Sequence, residues 1–227
     1  MIKYKYPLNK LDNYFLNYNE ITKDTEYTLF DIDAKELITT NRIDLVVKYY
    51  YIECREKNNN FEFAKELYIK HIEAFSDGTF SEQGNSNKNS IEKYLQVFNS
   101  LIDDFKINGY KEDISIIPIG KNYALLDGSH RTACAAYFNQ KIKVIQFNHL
   151  FVDYGFNFFR KRLLDDIYLD FIAKEYAIIK DDLDFTYSKK DGFIADYNCR
   201  VRYIGRKIRY IYRVFINYIK YIIGKPI

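Results

Sequence analysis

Tyr123-Ala-Leu-Leu-Asp-Gly-Ser-His-Arg-Thr-Ala-Cys-Ala-Ala-Tyr-Phe-Asn-Gln-Lys-Ile-Lys-Val-Ile-Gln-Phe147 decides the reading of this chain. The stretch reads as strand, tight turn, short helix, strand. Its turn, Asp127-Gly128-Ser129-His130-Arg131, falls where the helix begins. A helix start presents unpaired backbone N–H groups and a partial positive charge, which together suit an anion. Gly128 lets the backbone approach a ligand closely, Ser129 adds a hydroxyl, and His130 and Arg131 add donors and charge. Thr132 follows as a further hydroxyl. The set fits a phosphate and makes a nucleotide the ligand to look for. The purely structural alternative is a helix start capped by Ser129, with Arg131 in solvent.

Working outward, Ile114–Ile119 and Tyr123–Leu126 read as two short strands around Gly120-Lys121-Asn122, in the manner of a hairpin. The helix at about 131–139 is only long enough to cross to the strand Lys143–Phe147, a connection that normally leaves the two flanking strands parallel. Upstream, residues 1–24 read as an irregular arm and Tyr27–Ile32 as a strand. A helix follows over about 42–56, with Ile43, Val46, Val47, Tyr50 and Cys54 on one stripe. Asn60 is placed to cap the next helix, about 61–75. Ser76–Ser90, rich in Gly, Asn and Ser, is a long loop of the kind that usually carries function or lacks order. Beyond it Ile91, Tyr94, Leu95, Phe98, Leu101, Ile102 and Phe105 repeat at helical spacing, with an Asn89/Glu92 capping box and Gly109 as the stop. Past His149 the chain reads as helical over about 156–179, with a polar linker around 181–198.

The strand, Asp-Gly-Ser-His-Arg turn, Ala-rich helix and apolar strand resemble the ParB/sulfiredoxin superfamily over about 110–148. Three departures choose among its branches. Sulfiredoxin has a reactive cysteine between the Gly and the His of this turn, where this chain has Ser129, and Cys134 lies a turn further along. The DNA-partitioning branch has a Gly-Glu-Arg-Arg type of turn and a helix-turn-helix domain, and neither is evident here. The free-serine kinases, whose turn has the form Asp-Gly-x-His-Arg, are the most similar branch. The resemblance implies an α+β domain with a small mixed sheet of ParB/sulfiredoxin type, packed helices and a C-terminal helical extension. Its divisions are an arm at 1–24, a nucleotide-binding domain at 25–150, a helical extension and linker at 151–198, and a basic tail at 199–227.

The implied activity is a kinase, a transferase that moves phosphate from ATP or ADP, with Mg²⁺, to a hydroxyl on an amino acid, amino alcohol or sugar. Gly128, Ser129, His130, Arg131 and Thr132 would hold the phosphates. For Asp127, two roles stay open: binding Mg²⁺ or pinning the turn. Glu82, the glutamate of the 76–90 loop, is the candidate general base that orients the acceptor hydroxyl, with Asp77 as its rival. Lys88 is a candidate point charge for the transferring phosphate. His71, on the core-facing stripe with Ala64, Tyr68 and Phe75, is a candidate substrate contact. Two other readings stand beside this one: a nucleotide-sensing ParB-like module without phosphoryl transfer, and an interaction protein without a nucleotide site.

Charge separates the tail from the body. From Cys199 onward there are eight basic residues and no acid, whereas the rest carries 26 basic residues against 31 acidic. A DNA-coating body is therefore not expected. Arg202, Arg206, Arg209, Arg213 and Lys220 recur at helical spacing opposite Ile204, Ile208, Ile211 and Phe215. A basic amphipathic helix over 200–223 suits an anionic membrane surface, which would place the work at cell-envelope polysaccharide precursors. Three scattered cysteines, no apolar leader and no long apolar run point to a cytoplasmic protein, peripheral at most to the inner membrane.

Overall fold

Apolar side chains on both sides of the segment Lys141–Gln146 set the architecture, because one strand then needs cover on two faces. The computed structural model describes residues 5–81, 89–112, 115–182 and 184–187. Strand β3 (Lys141–Gln146) is the middle of a three-stranded mixed sheet. On one side it pairs antiparallel with β1 (Thr28–Asp33), with Phe30 opposite Val144 and Ile32 opposite Ile142. On the other side it pairs in parallel with β2 (Ile117–Ile119). Pro118 is tolerated there because β2 is an edge strand and its missing N–H breaks no ladder.

Around the sheet lie α1 (Asn13–Tyr18), α2 (Asp44–Lys57), α3 (Phe61–Phe75), α4 (Ile91–Asn108), α5 (Ser129–Tyr137), α6 (Phe156–Lys161) and α7 (Asp166–Lys180). The result is a small α+β fold in which α6 and α7 belong to the helical packing. No helix among the described residues is long and apolar enough to cross a membrane.

Helix α2 is the centre of the larger core. It packs on α3, α5 and α7 and is buried on nearly every side, from Leu45 and Val47 to Tyr51 and Ile52. Helix α5 can approach it closely because its inner residues are small: Ala133, Cys134, Ala135 and Ala136 are all fully buried. Burial also pushes the Cys134 thiol up, so it stays neutral and inert inside the helix pair. Much of the aromatic content builds this core: Tyr51, Tyr68 and Phe98 stack on one another with ring centroids 5.1–5.3 Å apart.

The opposite face of the sheet corrects the expectation of an irregular arm. Residues 8–21 fold back, and Leu8, Leu11, Phe15, Leu16 and Ile21 cover Ile116, Ile145 and Phe147. Asp12 caps α1, accepting from the amides of Tyr14 at 2.7 Å and Phe15 at 3.3 Å.

Several boundaries also differ from expectation. The cap of α4 is Ser90, one residue later than the Asn89 box, and Asn60 sits at the start of α3 in a left-handed conformation without a side-chain capping bond. The turn expected at Gly120-Lys121-Asn122 is a short 3-10 turn that extends to Tyr123, the first residue of the expected second strand, and Leu125 bridges Ile119 in antiparallel fashion. The helix expected over 156–179 breaks after Lys161, where Leu163 adopts a positive φ of 62° and the amide of Leu164 returns to Phe159 O. The tail at 199–227 lies outside the described residues.

Candidate functional site

The turn from Asp127 to Arg131 is held at both ends. Gly128 is the N-cap of α5 with φ +82°, a conformation costly for any other residue. A Cβ there would also lie 2.8 Å from Ile117 Cδ1 and 3.0 Å from Arg131 Nη2. No side-chain bond caps α5, and its first intrahelical bond runs from the Thr132 amide to Gly128 O at 2.9 Å. The helix geometry therefore leaves the amides of Ser129, His130 and Arg131 without intrahelical acceptors.

The side chains of the turn have distinct settings. Asp127 Oδ2 lies 3.4 Å from Arg131 Nη2, with the arginine side chain 32% and the carboxylate side chain 42% exposed. Arg131 Nη1 donates to Ser115 Oγ at the entry to β2. His130 Nε2 meets the hydroxyl of Tyr68 at 2.8 Å, and its ring stands edge-on to Phe98 at 4.7 Å between centroids. The Tyr94 ring is 6.5 Å away, and the Tyr94 amide bonds to Ser90 O at the start of α4. Chain emerging from the 76–90 loop thus enters α4 beside this turn.

Thr132 is placed differently from its neighbours. It is fully buried, one turn into the helix, and its hydroxyl has no hydrogen-bond partner among the described residues. It does not share the surface of Ser129, His130 and Arg131.

Behind the turn lies a buried charged chain that the sequence reading missed. Arg42 grips Asp44 with two bonds of 2.8 and 2.9 Å, and Lys48 Nζ reaches the same carboxylate at 2.8 Å. Burial alone would raise the Asp44 carboxyl, but Arg42 and Lys48 outweigh it and hold the group well below the usual carboxylate range. Lys48 also faces His71 Nε2 at 3.4 Å, while His71 Nδ1 lies 3.0 Å from the Tyr68 carbonyl. A lysine ammonium and a carbonyl leave one assignment: Nε2 accepts and Nδ1–H donates. His71 is therefore neutral, its pKa pushed down to about 3 by burial and then by Lys48. Arg42 closes the circuit by donating to Leu125 O, two residues before the turn, and lies over the Tyr154 ring at 5.1 Å.

These residues escaped because Asp44 and Lys48, four apart at the start of a helix, look like a solvated surface pair. The available signal was the rest of α2. With Leu45, Val46, Val47, Tyr49, Tyr50, Tyr51 and Ile52 distributed around it, no face was left for water.

The structure brings together Asp127, Gly128, Ser129, His130 and Arg131. His71 lies behind this group, bonded to the Tyr68 carbonyl, and is 1% exposed. Asp77 sits beyond the end of α3, its carboxylate 3.5 Å from Arg162 Nη1. Glu82 and Lys88 lie outside the described residues. No group of three or more His, Cys, Asp or Glu residues able to hold a metal occurs among the described residues. A separate open groove of about 590 Å³, lined by Lys23, Tyr27, Gln146, Asn148 and His149 among others, carries mixed charge. Comparison with known proteins finds no matching family model, no similar curated protein and no similar solved structure.

Proposed function

We propose that this chain is a small-molecule kinase of ParB/sulfiredoxin type, in which the α5 turn holds the phosphates of ATP or ADP. The observation that carries the reading is the convergence at the start of α5 of uncapped amides, a glycine that keeps the approach open, and the partly exposed His130 and Arg131. Asp127 fits a magnesium that arrives with the nucleotide. It is a single half-exposed carboxylate, and this metal usually takes one or two protein carboxylates together with phosphates and water. Bound there, the ion would neutralise phosphate charge. Arg131 would turn its fork from Asp127 and Ser115 toward phosphate oxygens, and the α5 amides would hold the remainder.

In the transfer, the acceptor oxygen forms a bond to the terminal phosphorus as the bridging P–O bond breaks, and the shortened nucleotide leaves. The acceptor proton passes to a carboxylate, which this reading assigns to Glu82. The described chain on the α4 side of that loop enters beside His130, which favours the loop as the acceptor side. The basic segment 200–223 is read as a contact to an anionic membrane surface.

The test is a panel of ATP, ADP, CTP and GTP with Mg²⁺, scored by thermal shift and by acceptor-dependent phosphate loss with pooled amino acids, polyols and sugars. Stabilisation with turnover supports the kinase, and stabilisation without turnover shifts the reading to a nucleotide sensor. No stabilisation at millimolar nucleotide overturns the phosphate site. Arg131→Ala is expected to weaken nucleotide binding roughly 10- to 100-fold while leaving a cooperative melt.

A further inference from the structure

We propose that the outer face of α7 is the docking surface for this chain's own basic segment, residues 199–227, which lies outside the described residues. The inference does not depend on the nucleotide reading above.

The surface is apolar at its centre and acidic at its margins. Ile167 and Ile178 are 74% and 63% exposed. They stand 11 residues apart, three turns of a helix, so they share one face at a separation of about 16 Å. The helix turns Leu169, Ile172, Ala173 and Ala177 into the protein, so the two isoleucines are surplus to its own packing. Asp166, Asp170, Glu175 and Asp181 surround them on the helix and at its end. Glu175 is pushed up first by burial and then by Glu53 of α2, which marks a place rich in negative charge. From Leu163 to Tyr187 there are seven acidic residues against two basic. That excess of five equals the excess of the whole chain before Cys199, 31 acidic against 26 basic.

The occupant follows from where the described chain ends. Tyr187, its last residue, donates its hydroxyl to the Asp170 carboxylate of α7 and stacks on Phe156 at 4.3 Å. The chain beyond therefore starts beside α7. Residues 188–203 can span on the order of 50 Å at most, whereas α7 is about 22 Å long, so Ile204 can reach either end of it. What comes next complements the surface: eight basic residues and no acid from Cys199 onward. Ile204 and Phe215 repeat the 11-residue separation of Ile167 and Ile178, and Arg206, Arg209 and Arg213 recur beside them. A tether of this length gives a local concentration on the order of millimolar, which favours the chain's own segment over a second copy. The docked segment uses the residues that would meet an anionic membrane, so α7 and the lipid compete for it.

The test places the photo-crosslinker p-benzoylphenylalanine at position 178 of the full chain, with position 107 of α4, where Ile107 is 80% exposed, as the control. At low micromolar protein, position 178 is expected to give a product of monomer mass joined to a peptide from 199–227, and position 107 none. Reversing charge in Arg206→Glu, Arg209→Glu and Arg213→Glu together is expected to lower that yield several-fold. A product of dimer mass overturns the proposal in favour of a second copy, and no adduct to 199–227, or one equally strong from position 107, overturns it outright. A yield untouched by charge reversal does so too. The pair Ile167→Ser and Ile178→Ser, both on the surface, is expected to tighten binding to phosphatidylserine-containing vesicles about tenfold, the gain from freeing a segment that is docked about nine-tenths of the time. Unchanged vesicle affinity overturns the competition. A chain that binds no such vesicles in any form overturns the membrane contact instead, and the crosslink still decides the docking on α7.

Discussion

The two faces of the sheet are covered in different ways. One face carries Phe30, Ile32, Ile117, Ile119, Ile142 and Val144 under a layer of helices whose interior includes Arg42, Asp44, Lys48 and His71. The other carries Leu29, Ile116, Ile145 and Phe147 under a thin cover from residues 8–21 whose side chains buried against it are apolar. The thick side holds the polar groups that fix the α5 turn, and the thin side has none. Apolar cover suffices to close a sheet, whereas a buried charged chain makes one arrangement correct and its neighbours costly.

Removing the centre of the polar side should produce the largest effect. Asp44→Ala leaves Arg42 and Lys48 buried without their carboxylate and is expected to destabilise the chain by about 3–5 kcal/mol, read by urea denaturation. A loss below about 1 kcal/mol would mean that the chain is solvated and the contrast between the faces is false.

Leu16→Ala strikes the apolar cover. Its expected cost is smaller, about 2–3 kcal/mol, because a thin surface layer can partly collapse into the space.

The smallest effect per step is the response to acid. Unfolded His71 takes up a proton as the pH falls below its ordinary value of 6.5, but the folded ring does not until about pH 3. Stability is therefore complete above pH 6.5 and declines on acidification, at up to about 1.4 kcal/mol per pH unit. Asp44 adds to the decline only as the pH passes below 3.8, where its unfolded carboxyl protonates and its folded one does not. In His71→Gln the slope between these two limits should flatten, measured as the urea midpoint against pH, whereas Leu16→Ala should keep it. Parallel curves for His71→Gln and the unaltered chain would remove His71 from the account.

What could be read from the sequence divides along the same line. The crossover from β2 through α5 to β3, the strand β1, and the helices α3 and α4 follow from periodicity and punctuation, with ends displaced by a residue or two. The Asp127–Arg131 turn was visible because its residue types are informative by themselves. The fold-back of residues 8–21 was not, since Leu8, Leu11, Phe15 and Leu16 become a face only once the sheet exists to receive them. Tyr68 was read as core, which it is. Its hydroxyl contact with His130 spans 62 positions, and spacing along one helix cannot show that. The break after Lys161 was hidden because Leu163, which takes the left-handed turn, is a residue type that gives no warning of it.

Helix α2 has a consequence for how this chain is made. Its coverings α5 and α7 begin about 70 and 110 residues downstream. At a synthesis rate of roughly 5–20 residues per second, α2 waits on the order of 5–20 s outside the ribosome before its last face can be covered. A pause in translation between Tyr137 and Asp166 would leave an apolar rod bare, the kind of segment on which holdase chaperones act.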